Sequence, residues 1–120
     1  KRCPTWATAV DMRRFRRMDR DLRADGWRVI GIDRTAGSVE LAGDAGDPSV
    51  LAAAVERCDD QVDALICSAG IPPSGPWDSR EHWNDVIRVD LTAPYEALRT
   101  CWPALVEGKG AVVLEGSIVG

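Results

Sequence analysis

No glycine occurs before Gly26, although the chain contains 11. A glycine-rich loop that cradles a phosphate on a helix N-terminus is therefore absent from the front of the sequence. Tyrosine and histidine occur once each, as Tyr95 and His82. His82 follows Glu81 on a predicted helix surface and has no cysteine or serine partner in a recognisable arrangement, so it reads as solvated. The cysteines Cys3, Cys58, Cys67 and Cys101 are scattered, with no Cys-x2-Cys pair, and no metal site is indicated. They read as reduced thiols of a cytosolic, cytoplasmic chain, with Cys67 and Cys101 buried. No apolar run approaches the ~20 residues of a membrane span, and no stretch reads as a secretory signal.

What is present is enough for one domain. A chain of 120 residues can bury roughly two-thirds of its unfolded surface around one core. Its charge is divided unevenly. Residues 1–34 hold ten of the 15 Lys and Arg against five acids, a net of +5, which leaves −9 for residues 35–120. The arginine-rich run Met12-Arg-Arg-Phe-Arg-Arg-Met-Asp-Arg20 suggests phosphate contact and hence nucleic acid. Asp11, Asp19 and Asp21 dilute it, and the acidic remainder repels a polyanion, so this reading ranks last.

Patterning alternates between two periods. Met12, Phe15, Met18 and Leu22 fall on one helical face, with Asp11 placed to cap it and Gly26 to end it. Trp27–Asp33 is a strand with an apolar, β-branched middle, and Val39–Ala42 is a short second strand. Asp47-Pro48 starts a helix whose buried stripe is Val50, Leu51, Ala54 and Val55. Ala64–Cys67 is a buried strand, followed by the loop Pro72–Pro76. Asp78 or Ser79 caps a long helix from Arg80, whose apolar face is Trp83, Val86, Ile87, Leu91, Tyr95, Leu98 and Trp102. Pro94 allows a kink and Pro103 an end. Ala111–Leu114 is the last strand. Strands alternating with helices predict an α/β fold of βαβ units with a parallel sheet. Residues 1–10 have no clear period, and Pro4 argues against a central strand there.

Five landmarks stand in a telling order: Leu22-Arg-Ala-Asp-Gly-Trp-Arg-Val-Ile-Gly-Ile-Asp-Arg34, Asp44, Cys67-Ser-Ala-Gly70, Val89-Asp-Leu-Thr-Ala-Pro94 and Gly116-Ser-Ile-Val-Gly120. Over about residues 22–120 the chain resembles the short-chain dehydrogenase/reductase family. The resemblance implies one partial Rossmann-like, doubly wound parallel domain over residues 1–120, truncated and with residues 1–21 atypical. Asp33 corresponds to the acid that accepts both ribose hydroxyls of NAD, although the neighbouring Arg34 could hold the extra phosphate of NADP. Asp44 corresponds to the acid that meets the adenine amino group. Ser68, Ala69 and Gly70 match the family's Asn-Asn-Ala-Gly turn beside the cofactor ribose. Asp90 stands where the family has an asparagine holding a relay water, and Ser117 matches the serine that orients a substrate carbonyl.

The implied function is that of an NAD(P)-dependent oxidoreductase acting on a small carbonyl or alcohol. Two departures from the family temper it. The fingerprint glycines should fall near Ala9, Arg13 and Phe15, so NAD is expected to bind worse than millimolar. The family's Tyr-x3-Lys pair follows the serine and is not found in these 120 residues, since Tyr95 precedes Ser117 and reads as core packing. The isolated chain is therefore expected not to transfer hydride. The alternative is a non-catalytic binding or dimerisation module, a homo-oligomer built through the long helix, with no membrane partner. Residues 1–20 are further expected to be a replacement of the family's front end, such as an out-of-frame reading, leaving a sheet without its central strand and an edge exposed after Ala111–Leu114.

Overall fold

The computed structural model describes residues 5–9, 12–35, 37, 39–71 and 75–116, with side chains from Arg16 onward. Five strands form one sheet in the order β3-β2-β1-β4-β5, all parallel. They are β1 (Thr5–Ala9), β2 (Ile30–Asp33), β3 (Leu41–Ala42), β4 (Ala64–Ser68) and β5 (Ala111–Leu114). The four strands expected from the sequence are all present; β2 and β3 start later than their apolar runs do.

The expected loss of the central strand is corrected. Thr5–Ala9 lies in the middle of the sheet, with Ala7 opposite Gly31 of β2 and Ile66 of β4. The reason lies in the neighbours. Without a strand between them, β2 and β4 would each bury a row of unpaired peptide groups. The central position is thus set by non-local pairing, which a local period does not report. Pro4 and Asp11 lie outside the described residues.

Helix α1 (Met12–Ala24) stops at Gly26, as its sequence suggests. Gly26 has φ +88°, its N–H donates to Arg23 O, and Trp27 N–H donates to Leu22 O at 3.0 Å. This double bond pattern satisfies the last carbonyls and needs a left-handed residue, a role glycine fills without strain. Helix α2 (Pro48–Arg57) starts on Asp47, whose carboxylate accepts the Ser49 N–H. Leu51 and Ala54 are buried and Val50 and Val55 pack against the core, as the stripe predicts.

The long helix is two helices joined in line. Helix α3 (Arg80–Ile87) is capped by Ser79, which accepts the His82 N–H. A π-helical turn spans Arg88–Thr92, and helix α4 runs over Ala93–Gly108. Pro94 has no N–H to give the Asp90 carbonyl, and the widened turn sits immediately before it, with Ala93 N–H reaching back to Arg88 O. Pro103 does not end the helix, contrary to expectation; α4 continues to Gly108 and ends at Lys109 with φ 50°.

The face of this helix is also corrected. The buried stripe is Ala93, Ala97, Cys101, Ala104 and Leu105. Trp83, Leu91, Tyr95 and Trp102 are exposed, Tyr95 by 60%, so Tyr95 is not core packing. Small residues let α4 lie close on the sheet and α2, where Val62, Leu65, Cys67, Leu51 and Ala54 complete the core. The bulky residues share a helical period with them but point away. His82 is corrected likewise: it is half-buried and its Nε2 accepts the Gly75 N–H at 3.3 Å. Cys67 and Cys101 are buried as expected, and so is Cys58. Among the described residues β5 pairs only with β4, and Val113 and Leu114 are exposed.

Candidate functional site

The carboxyl ends of β2, β3 and β4 open onto one cleft of about 120 Å³. In an open parallel sheet, loops diverge at these ends and leave a crevice for a ligand. The floor is apolar: Ile32 from β2, Ala69 and Ile71 after β4, and Val89 and Ala93 from the long helix. Val89, inside the π-helical turn, and Ala93, the first residue of α4, are four residues apart and so share a face. Charge is confined to Asp33, Arg34 and Asp44 along the wall.

Asp33 is the last residue of β2. Its Oδ1 accepts the Arg34 N–H at 2.8 Å, and its carbonyl accepts the Gly43 N–H at 2.8 Å. The second bond draws the loop after β3 against the end of β2. That loop is held closely. A Cβ on Gly43 would lie 2.8 Å from Val50 Cγ2, and one on Gly46 would lie 2.9 Å from the Ala93 Cβ. Neither position accommodates a side chain without displacing α2 or α4.

Asp44 is crowded by donors. Its Oδ1 accepts the Gly46 N–H at 2.8 Å. Its Oδ2 accepts Arg88 Nη1 at 2.8 Å and Arg34 Nη2 at 3.4 Å. Arg88 thus crosses from the π-helical turn to the loop after β3. Asp90, in the same turn, accepts the Ile71 N–H on Oδ1 at 2.8 Å. A Cβ on Gly70 would stand 3.4 Å from that oxygen, an ordinary contact.

Of the residues expected from the sequence, the cleft brings Asp33, Asp44 and Ala69 together. Ser68 ends β4 and Gly70 follows it, both half-buried and beside the cleft rather than in its lining. Asp90 braces the turn after β4 from behind. Ser117 lies outside the described residues. Sequence reasoning missed Arg88, Val89 and Ala93. The last two could have been found from their four-residue spacing just before Pro94; nothing local marks Arg88 as the partner of a residue 44 positions away. Among the described residues no three His, Cys, Asp or Glu side chains are grouped to hold a metal ion. No helix there is long and apolar enough to cross a membrane.

Comparison with known proteins identifies the family of the chain. The family model described as short chain dehydrogenase matches residues 16–120, a start six residues earlier than the sequence motifs suggested. The human dehydrogenase/reductase SDR family member 2, a mitochondrial protein by name, is 30% identical over 115 residues, covering 91% of this chain and 39% of that protein. The 3-alpha-hydroxysteroid dehydrogenase of Pseudomonas sp. B-0831, solved with NADH, is 27% identical over 95% of this chain and 47% of its own, with a TM-score of 0.76. A short-chain oxidoreductase of Brucella ovis, solved with a partially ordered NAD, shares the fold at 22% identity and a TM-score of 0.77, over 93% of this chain and 61% of its own. The chain therefore spans between about two fifths and three fifths of the length of these relatives. Matching the family model over most of its length, and built on the same parallel sheet, the chain belongs to the short-chain dehydrogenase family.

Proposed function

We propose that these residues form the adenosine side of a nicotinamide-dinucleotide site in an oxidoreductase acting on a small carbonyl or alcohol. The observation that carries this reading is the apolar cleft at the carboxyl ends of β2–β4, with the Asp33 carboxylate at its wall. The donor set fits one half of the cofactor. Asp33 is an acceptor for a pair of ribose hydroxyls, and Ile32, Ala69, Ile71, Val89 and Ala93 offer a purine flat apolar contact. When bound, the nicotinamide ring supplies hydride exchange with the substrate; the roles left to this chain are binding and positioning.

Asp33 favours NAD over NADP, because a 2′-phosphate would meet its negative charge. Arg34, the residue that could offset this, is turned toward Asp44. Ser68, Ala69 and Gly70 would line the path of the nicotinamide ribose, with Asp90 holding their turn in place. Ser117 would orient the substrate carbonyl. These 120 residues hold no Tyr-x3-Lys pair, and general acid–base help of that kind is typically worth roughly 10²–10⁴ in rate. The chain by itself is therefore proposed to bind weakly and not to turn over. A cytosolic setting belongs to the same proposal and rests on the buried thiols of Cys67 and Cys101.

The test is a titration of the labelled chain with NAD, NADP and ADP-ribose, followed by NMR. Shifts at Ile32, Asp33 and Ala69 with millimolar or weaker affinity, reduced by Asp33→Ala, are expected. No shift at these residues at saturating ligand would refute the reading. So would micromolar affinity, for the weakness expected without the fingerprint glycines.

A second reading is a dimerisation module. Trp83, Leu91, Tyr95, Trp102 and Val106 are each at least 57% exposed along α3, the π-helical turn and α4, and a contiguous apolar surface of that kind marks a contact site. Sedimentation would show a dimer that Trp102→Glu dissociates; a monomer at high concentration would end this reading.

A further inference from the structure

We propose that Gly46 and Ala93 are a matched pair of small residues that sets the width of the cleft, Gly46 being a positioning residue that acts on the ligand through Asp44 and Ala93. This rests on the reading of the cleft as the adenosine site and adds the contact that shapes it. Gly46 is not part of the lining, whereas Asp44 and Ala93 are. A Cβ on Gly46 would lie 2.9 Å from the Ala93 Cβ, 3.2 Å from the Ala93 Cα and 3.3 Å from Asp44 Oδ1. Carbons in good contact stand about 3.5–4 Å apart, so one added methyl must part loop and helix by roughly 0.6–1 Å. The backbone gives no other reason for a glycine here, because positive φ is found at Gly26 and Gly37 and not at Gly46.

That displacement has to end in the cleft, since neither side can give elsewhere. The Asp33 carbonyl holds the Gly43 N–H at 2.8 Å, and the Asp44 carbonyl accepts the Asp47 N–H at 3.0 Å. Asp47 in turn caps α2. The loop cannot step back, because at Gly43 it already abuts Val50 of α2. On the other side, Ala97 and Cys101, about one and two turns beyond Ala93, are buried in the core and fix α4. What is left to move is Asp44, whose Oδ1 accepts the Gly46 N–H at 2.8 Å, or Ala93 at the floor. Either move changes a surface the purine meets. The contact is steric and Ala93 is buried, so neither salt nor solvent relieves it.

The space between loop and helix thus holds one methyl group, and the pair divides it as none on Gly46 and one on Ala93. The experiment moves the methyl across. ADP-ribose is titrated by NMR into the full 120-residue chain, into Gly46→Ala and into Gly46→Ala/Ala93→Gly, with thermal melting of each. Gly46→Ala is expected to shift the Asp44 and Ala45 amides without ligand and to weaken binding about tenfold, and the double variant to recover to within about threefold of wild type. A merely structural contact would lower the melting temperature of Gly46→Ala and leave the affinity of its folded chains unchanged; that outcome overturns the proposal. So does a double variant that binds as poorly as the single one. If Gly46→Ala does not fold, the double variant carries the test: folded and binding within about threefold of wild type it supports the pair, and still unfolded it overturns it. If ADP-ribose moves neither Ile32 nor Asp33 in the wild type, the adenosine reading itself fails and this inference with it.

Discussion

Glu40 should be worth more to this fold than a surface ion pair, and the reason is the N–H it holds. Strand β2 pairs with β3 only at Ile32 and Asp33, which leaves the buried Gly31 N–H without a strand carbonyl on that side. The Glu40 carboxylate takes that place: Oε2 accepts the Gly31 N–H at 2.7 Å while Oε1 receives the Arg23 guanidinium. Arg23 also bonds Asp19 at 2.8 Å and Val29 O at 3.1 Å, so it does not depend on Glu40 alone. Glu40→Ala strands a buried donor, at about 1–3 kcal/mol, and removes an exposed pair worth ~0–1 kcal/mol. Glu40→Gln keeps an acceptor oxygen and should cost under ~1 kcal/mol. For a chain of this size the Ala variant should melt about 4–16 °C lower, and urea unfolding followed by circular dichroism would measure the free energy. Equal losses in Ala and Gln would show that charge, not the acceptor, matters. A loss below about 0.5 kcal/mol in Ala would show that the Gly31 N–H finds another partner. The point bears on function because β2 carries Asp33 to the cleft.

Burial pushes the Cys67 thiol up to about 11, and burial together with the neighbouring Cys67 pushes Cys101 to about 12. Both should resist iodoacetamide near pH 8 until the chain unfolds. Their raised folded values mean stability that is whole below the unfolded thiol range of about 8.5 and lost as pH climbs from there toward 11–12; fast labelling of the folded chain would contradict this. Hydrogen bonds from the Ser49 hydroxyl and N–H hold the Asp47 carboxyl below its usual range. Its contribution should be full above about pH 4 and fade as pH falls further, an acid dependence that Asp47→Asn removes while keeping the helix cap; parallel urea midpoints against pH would show it, and identical acid profiles would refute it. A Cβ on Gly108 or Gly110 would lie 2.4 or 2.3 Å from the Val62 carbonyl oxygen, so alanine at either should cost about 1–3 kcal/mol, and unchanged melting would disprove so close an approach. Asp90→Ala should speed amide exchange at Ile71 by about tenfold while Asp90→Asn restores protection; unaltered exchange in the alanine variant would mean that Asp90 does not hold the turn.

Most of the fold was legible because most of its signals are local. The Asp47-Pro48 start of α2, the Gly26 stop of α1 and the apolar runs of β2, β4 and β5 each follow from a cap, a left-handed residue or a buried strand. Two features were not local. β1 is a strand because β2 and β4 need partners, and nothing within Thr5–Ala9 declares that. The long helix carries two apolar stripes in the same period, one small and one bulky. Hydrophobicity ranks Trp83, Leu91, Tyr95 and Trp102 first, whereas close packing selects Ala93, Ala97, Cys101 and Ala104. Size, which a hydrophobic pattern ignores, decided the orientation.

The site divides along the same line. Asp33 could be placed because the end of a strand is readable, and Asp44 and Ala69 because each follows one. What each carboxylate is free to do could not be read, since it depends on who reaches it. Asp33 has its Oδ1 tied to the next peptide in the chain, a local bond that any acid in this turn could make. Asp44 is held by Arg88 from the far side of the cleft, a pairing set by the π-helical turn and so by the position of Pro94. The identity of the acids at the cleft is thus written at strand ends, and the partner that reaches Asp44 is written in a helical turn more than 40 residues further along the chain.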